Sequence, residues 1–161
     1  MKFIVDGMLG KLARWLRMMG HDIVYSTQLD DVQLEVLARK ENRVLLTRDL
    51  ELYRHATTKG IDAFYVGGQT NAERLAELAN RFDISLAMDL QNSRCPKCNS
   101  KLESTPKEKI KDKIEPHTFN CYDAFWRCLG CGQVYWQGSH WTKIRAILKE
   151  AEEKTKKMVE T

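Results

Sequence analysis

The chain has 161 residues, enough for one domain of ordinary size with a small appended module. It shows no apolar run near the roughly 20 residues of a membrane span and no basic and apolar leader, so we expect a cytoplasmic protein and no membrane association. The formal net charge is +4, and residues 91–161 hold 14 basic against 9 acidic side chains, whereas residues 1–90 hold 12 against 13. This asymmetry suggests a polyanionic partner, although a solvated lysine-rich surface explains the same counts.

Apolar runs and helical patterns alternate through the first ninety residues. Strands are predicted at Lys2–Val5, Asp22–Tyr25, Val44–Thr47, Ala63–Val66 and Ile84–Met88. Helices are predicted at Leu9–Met19, Asp31–Glu41, Leu50–Lys59 and from Thr70, which opens a capping box, to about Phe82. Such alternation with short connections predicts an α/β fold with a mostly parallel sheet covered on both faces.

The character of the sequence changes near Asn92. Residues 93–138 contain all five cysteines, and the Lys- and Glu-rich stretch Glu103–Glu115 is predicted to be an exposed, mobile finger. From Trp141 an amphipathic helix runs into a charged end, Glu152–Thr161, which we expect to be frayed. The predicted organisation is therefore an α/β domain over 1–90, a cysteine module over 91–140, and a helix with a charged tail over 141–161.

Carboxylates stand at the ends of predicted strands and at the start of a helix. Asp6 follows the first strand, Asp49 follows the third, and the pair Asp30-Asp31 opens the second helix. Because the carboxyl ends of parallel strands share one sheet edge, these side chains are predicted to converge. Taken singly, Asp6 is also typical of a turn and Asp31 of a helix N-cap. Gathered carboxylates repel one another, and Mg²⁺ or Mn²⁺ would neutralise them while leaving coordination positions for phosphate oxygens.

Basic residues flank these carboxylates. Lys11, Arg14 and Arg17 recur at three-residue spacing on the first helix, and Arg48 precedes Asp49. Such a stripe is most often a solvated helix face. Beside an acidic cleft it could equally follow a phosphate backbone, so these four residues are candidate nucleic-acid-binding side chains.

Two C-x-x-C pairs supply four candidate metal ligands, Cys95, Cys98, Cys128 and Cys131. Four thiolates on two turns are typical of a structural zinc ribbon, and the odd cysteine count argues against a closed disulfide framework. Cys121 is then the spare thiol, although Cys121, His117 or His140 could replace a ligand. Seven aromatic side chains crowd the same region and suit either a small ribbon core or a surface on which single-stranded RNA stacks. They are Phe119, Tyr122, Phe125, Trp126, Tyr135, Trp136 and Trp141.

These motifs together resemble a known family, the PIN-fold nuclease-like proteins named after the C-terminal domain of the Mut-seven exonuclease. The resemblance rests on five segments that span nearly the whole chain: Phe3–Arg17, Gly20–Asp22, Leu45–Asp49, Ser93–Asn99 and Cys128–Trp141. It implies a three-layer PIN-like ribonuclease domain followed by a zinc ribbon, which would aid binding of RNA or of ribonucleoprotein partners.

The resemblance also implies metal-dependent cleavage of RNA with Asp6, Asp31 and Asp49 as ligands of the catalytic ion. PIN nucleases usually gather four acidic residues, and the candidates for the fourth are Glu51, Asp30, Asp22 and Asp89. The main alternative is a non-catalytic RNA- or ribonucleoprotein-binding adaptor that keeps the fold and the ribbon. A phosphoacceptor receiver domain would need a second acid after Asp6, where Gly7 stands, and a P-loop hydrolase would need a G-x-x-x-x-G-K motif that the sequence lacks.

Overall fold

A four-stranded parallel sheet forms the centre of the computed structural model, which describes residues 1–160. Its strands are β1 (Lys2–Val5), β2 (Asp22–Tyr25), β3 (Val44–Thr47) and β4 (Ala63–Tyr65), in the order β2-β1-β3-β4. All three pairings are parallel. The predicted α/β class with a parallel sheet is therefore confirmed, and β1 and β3 lie side by side at its centre.

Helices cover both faces of this sheet. They are α1 (Gly10–Met18), α2 (Asp31–Lys40), α3 (Leu50–Thr58) and α4 (Asn71–Phe82). Side chains alternate between the faces of a strand, so Phe3 and Val5 enter one core with α1 and α4, whereas Ile4 enters a second core with α2 and α3. The result is a three-layer arrangement in which strands β1 and β3 are buried from both sides.

The second half of the chain builds a small antiparallel sheet and a long helix. Its elements are β5 (Leu102–Thr105), α5 (Pro116–Cys121), β6 (Phe125–Cys128), β7 (Val134–Tyr135) and α6 (Trp141–Glu160). The strands β5, β6 and β7 with the two cysteine pairs are called the ribbon below. Helix α6 packs back onto α4 and buries Leu148 and Ala151 in the core that α1 and α4 share. No helix within residues 1–160 is both long and apolar enough to cross a bilayer.

The predicted fifth strand is wrong. Residues 84–88 adopt no regular secondary structure, although their alternation is real because Leu86 is buried while Ser85 and Ala87 are exposed. The segment lays one face on the core without a neighbouring strand to pair with. An alternating pattern indicates an extended chain with one buried face, but it does not by itself indicate hydrogen bonding to a neighbouring strand.

Two further expectations about the second half differ from the structure. The Lys- and Glu-rich stretch is mostly exposed, but it includes the last three residues of β5 and a 3₁₀ helix, Lys107–Lys113, that is anchored by the fully buried Ile110 against Phe125 and Val134. The charged C-terminal end does not fray at residue 152, because α6 continues to Glu160. Thr161 lies outside the described residues.

His21 gives the fold a calculable pH dependence. It follows the left-handed Gly20 that ends α1, its ring meets Phe3 edge-on at 6.0 Å, and burial lowers its pKa to about 4. The unfolded chain, in which histidine has a pKa of about 6.5, therefore binds more protons between these values. The stabilisation from neutral His21 is complete above pH 6.5 and is lost as the pH falls towards 4. We expect wild-type protein to lose about 1 kcal/mol more than His21→Gln between pH 7 and pH 5 in urea titrations, and equal losses would contradict this assignment.

Candidate functional site

A single hydroxyl joins the two aspartates that follow the central strands. The fully buried Thr47, at the end of β3, donates a hydrogen bond from Oγ1 to Oδ2 of Asp6 at 2.7 Å. Thr47 Oγ1 also accepts the backbone N–H of Asp49 at 2.9 Å. The pairing of Val5 with Leu46 in adjacent strands brings these residues to one sheet edge. Asp6, Thr47 and Asp49 thus form one connected unit at the carboxyl ends of β1 and β3.

Both aspartates also have local structural roles. Asp6 Oδ1 accepts the backbone N–H of Met8 at 3.3 Å, at the start of a 3₁₀ turn. Asp49 Oδ1 caps α3 by accepting from Glu51 and Leu52 at 2.9 and 3.2 Å. Each carboxylate oxygen has two lone pairs, so these bonds fix the orientation of the groups and leave acceptor capacity for a cation.

Asp31 faces the same pair of charges. It is exposed, and among residues 1–160 its carboxylate has no hydrogen-bond or ion-pair partner. Its pKa is raised, first by desolvation and then by the negative charges of Asp49 and Asp6. Asp31 is not the N-cap of α2, since Asp30 takes that position in a capping box with Gln33. The structure therefore brings Asp6, Asp31 and Asp49 into one negative field, and Asp30 and Glu51 lie exposed beside it.

A buried glutamate that the sequence patterns did not single out lies one turn after Asp31. Glu35 is 4 % exposed, with His55 Nδ1 at 2.7 Å from Oε1 and Lys59 Nζ at 3.3 Å from Oε2. Burial opposes its charge, but the hydrogen bond from His55 and the ion pair with Lys59 hold its pKa below the usual range. Glu35 therefore stays ionised, ties α2 to α3, and adds to the field that raises the pKa of Asp31. Residues four positions apart lie on the same face of a helix, so the spacing of Glu35 from Asp31 could have indicated that the two side chains are neighbours.

The four basic candidates divide into two exposed and two engaged side chains. Lys11 and Arg14 are exposed on α1. Arg48 donates through Nη1 to the carbonyl oxygen of Gly68. Arg17 is 7 % exposed, and its guanidinium donates to the carbonyl oxygens of Ile23 and Pro96, each at 2.9 Å. Arg17 thus connects the sheet to the ribbon. The sequence pattern predicted an exposed charge at this position, and that prediction is wrong because the side chain is buried.

The four predicted cysteines form one cluster. The sulfurs of Cys95, Cys98, Cys128 and Cys131 all lie within 4.8 Å of one another. Those of Cys95 and Cys131 are 3.7 Å apart, and those of Cys98 and Cys128 are 3.3 Å apart. Four sulfurs at about 2.3 Å from a tetrahedral zinc would be about 3.8 Å apart, so the donor set fits zinc. Cys121 is exposed and outside this group.

Groups around the cluster stabilise thiolates. The backbone N–H groups of Gly130 and Cys131 donate to Cys128 Sγ at 3.3 and 3.4 Å. Hydrogen bonds from Ser100 lower the pKa of Cys98 to about 6. Tyr135 places its hydroxyl 3.0 Å from Cys95 Sγ. Such secondary contacts orient ligands and favour the deprotonated form that zinc binds.

The first cysteine turn rests directly on the sheet. Asn99, in a left-handed conformation with φ of 73°, accepts the backbone N–H of Ile23 through Oδ1 at 3.0 Å. Its amide nitrogen donates to Asp22 Oδ1 at 2.9 Å. Together with Arg17, which bonds the Ile23 carbonyl, these contacts join the ribbon to strand β2.

A family model matches most of this sequence. Residues 1–148 match the model described as the Mut7-C RNAse domain, so the chain belongs to that family, as the resemblance had indicated. The family is that of a ribonuclease domain, which implies RNA as the substrate class. Searches of curated proteins and of solved structures found no match to the chain.

Proposed function

We propose that the protein is a metal-dependent ribonuclease that cleaves phosphodiester bonds at the carboxyl ends of the central strands β1 and β3. The observation that carries this proposal is the Asp6–Thr47–Asp49 unit, with Asp31 in the same negative field, in a chain of a ribonuclease family. Hydrogen bonds hold the two strand-end carboxylates in place before any ion binds, which is the pre-organisation that catalysis requires.

The donor set suits a catalytic Mg²⁺ or Mn²⁺ better than a closed structural ion. Within residues 1–160, the cysteine cluster is the one group of three or more His, Cys, Asp or Glu side chains close enough to hold an ion by themselves. Magnesium at phosphoryl-transfer sites usually takes one or two carboxylates and completes its coordination with water and substrate oxygens. Asp6 and Asp49 would supply those carboxylates, and Asp31 would contact the ion or a water on it. When bound, such an ion polarises the phosphodiester and lowers the pKa of the attacking water.

Residues outside the carboxylate unit would hold the RNA. Lys11 and Arg14 are exposed on α1, whose preceding 3₁₀ turn starts next to Asp6, so their charges suit the backbone phosphates. Zinc in the cysteine cluster would be structural, because four thiolates leave no open position for substrate. The ribbon itself would aid the binding of RNA or of ribonucleoprotein partners.

A second candidate is a non-catalytic adaptor that binds RNA or ribonucleoprotein particles. The observation that favours it is the capping role of the acids: Asp6 caps a 3₁₀ turn, Asp30 caps α2 and Asp49 caps α3. Each of these aspartates therefore has a reason to be present without any chemistry.

Cleavage assays separate the two candidates. Purified full-length protein is incubated with single-stranded and structured RNAs, labelled at either end, with and without Mn²⁺. A ribonuclease gives products only with the ion, and the label patterns distinguish internal from terminal cuts. Binding without cleavage in every RNA and every ion tested would support the adaptor instead.

Removing the hydroxyl of Thr47 tests the connected unit. Thr47→Val keeps the shape of the buried side chain but leaves the N–H of Asp49 without its acceptor and Asp6 Oδ2 without its donor. We expect cleavage to fall about 10- to 100-fold and stability to fall by about 1–3 kcal/mol. Thr47→Ser keeps the hydroxyl and should retain most of the activity. If Thr47→Val cleaves as well as Thr47→Ser, the hydroxyl does not position the aspartates for catalysis.

A further inference from the structure

An open cavity lies at the seam between α1, the ribbon and α6. Its volume is about 310 Å³, and its lining is almost entirely apolar. The apolar lining side chains are Trp15, Met18, Met88, Pro96, Tyr135 and Ile144. No protein group within residues 1–160 accepts a hydrogen bond from the indole N–H of the half-buried Trp15. The cavity is thus an aromatic-walled recess of a size at the lower end of ligand pockets.

Two positive side chains also line this recess. They are Lys11 and Arg14, both exposed on α1, and the exposed imidazole of His140 lies in the same lining. An apolar floor with a cationic rim matches a ligand that joins a flat, weakly polar group to a negative charge. A nucleotide within a nucleic acid has this composition, whereas a lipid tail or an apolar peptide side chain would leave the cations without partners.

A groove adjoins the recess. It has a volume of about 550 Å³ and shares Arg14, Pro96 and Tyr135 with the recess. Its lining includes Tyr25, whose hydroxyl donates to the carbonyl oxygen of Gly7 at 3.1 Å. Gly7 follows Asp6 in the chain, so Tyr25 connects the lining of the groove to the residue next to the carboxylate unit.

We propose that the recess holds one unstacked base of a single-stranded RNA, and that the groove carries the adjoining sugar-phosphate chain to Asp6 and Asp49. This inference rests on the proposed function, because it names the form of RNA that the same site would receive. Bases of a duplex remain stacked inside the helix, whereas those of a single strand can turn outward onto aromatic side chains. Arg14, which lines both spaces, would contact the phosphate between the held base and the scissile bond.

The test compares two oligonucleotides that differ only in their bases. Fluorescence anisotropy measures binding of the full-length, zinc-containing protein to an octamer of adenosine and to an octamer with abasic spacers throughout, without added Mg²⁺ or Mn²⁺. Wild-type protein should bind the adenosine octamer about 5- to 100-fold more tightly. Trp15→Leu should lose most of that preference while binding the abasic octamer equally well. Phe82→Leu, a change of a half-buried aromatic at the end of α4 and outside both the recess and the groove, should keep the preference.

A second measurement needs no variant. An octamer containing 4-thiouridine is photocrosslinked to wild-type protein and the modified peptides are mapped, with crosslinks expected on the peptides that contain Trp15 or Tyr135. Equal affinity for the two octamers, or crosslinks confined to other surfaces, would overturn the base site even if RNA is cleaved. A base preference that depends on Trp15 in a protein that cleaves no RNA would support the base site and reject the nuclease.

Discussion

Replacing Asp49 with asparagine is expected to lower Mn²⁺-dependent RNA cleavage by about 100-fold or more, because a charged ion ligand becomes neutral. Stability should change by less than about 0.5 kcal/mol, since asparagine caps helices about as well as aspartate. Its amide oxygen can still accept the N–H groups of Glu51 and Leu52 that Asp49 Oδ1 accepts at the start of α3. Cleavage rates on a labelled RNA and urea titrations measure the two effects separately.

Asp6→Asn should also abolish cleavage, but at a cost in stability. Asp6 accepts from Met8 through Oδ1 and from Thr47 through Oδ2, and an amide offers one oxygen for these two donors. A loss of about 0.5–2 kcal/mol is expected, so Asp49→Asn is the cleaner variant. Asp62→Asn is the matched control, because Asp62 is exposed and precedes β4. It therefore lies at the amino ends of the parallel strands, away from the carboxylate unit at their carboxyl ends. Unaltered cleavage in both Asp6→Asn and Asp49→Asn would place the active site elsewhere.

Loss of a cysteine ligand should have the largest effect on the ribbon. Natively purified protein is expected to contain one zinc per chain, and Cys95→Ser should lose it. Binding of a structural zinc contributes about 10–16 kcal/mol of apparent free energy in small zinc modules, far more than a ribbon core this small can replace. Elemental analysis gives the zinc content, and near-ultraviolet circular dichroism reports the packing of the buried Trp126 in the ribbon core.

Cys121→Ser is the control for the ligand assignment. Cys121 is exposed, and its sulfur lies 3.6 Å from His117 Nε2 rather than in the four-cysteine cluster. This variant should keep the full zinc content and an unchanged ribbon spectrum. Zinc loss in Cys121→Ser, or its absence from natively purified wild-type protein, would show that the ligands are assigned wrongly.

Much of the fold could be predicted because its signals are local. The capping box at Thr70 and the glycine after α1 mark helix ends through hydrogen bonds and backbone angles that neighbouring residues set. The absence of pairing at residues 84–88 could not be predicted, since a strand needs a free edge beside it and that depends on the whole sheet. The fraying expected from Glu152 onwards was also wrong, because α6 continues to Glu160 although its last five residues are exposed.

The candidate site was predictable in its position and less so in its details. Convergence of Asp6 and Asp49 follows from strand ends in a parallel sheet, whereas the Thr47 hydroxyl between them depends on strand register. Arg17 shows the limit of a helical pattern most clearly. Its spacing from Arg14 predicts an exposed side chain. Instead, Pro96, 79 residues further along the chain, packs beside Arg17 and accepts a hydrogen bond from its guanidinium.

Strand β2 lies at the outer edge of the sheet, and the contact between the ribbon and Ile23 has a consequence for how copies of the chain meet. A free edge strand presents unpaired N–H and C=O groups on which a strand of another molecule can add. Here Asn99 occupies the N–H of Ile23 and Arg17 occupies its C=O. The first cysteine turn and Arg17 therefore block the pairing of another strand at Ile23, and an ion that holds this turn in shape would protect the protein against aggregation as well as unfolding.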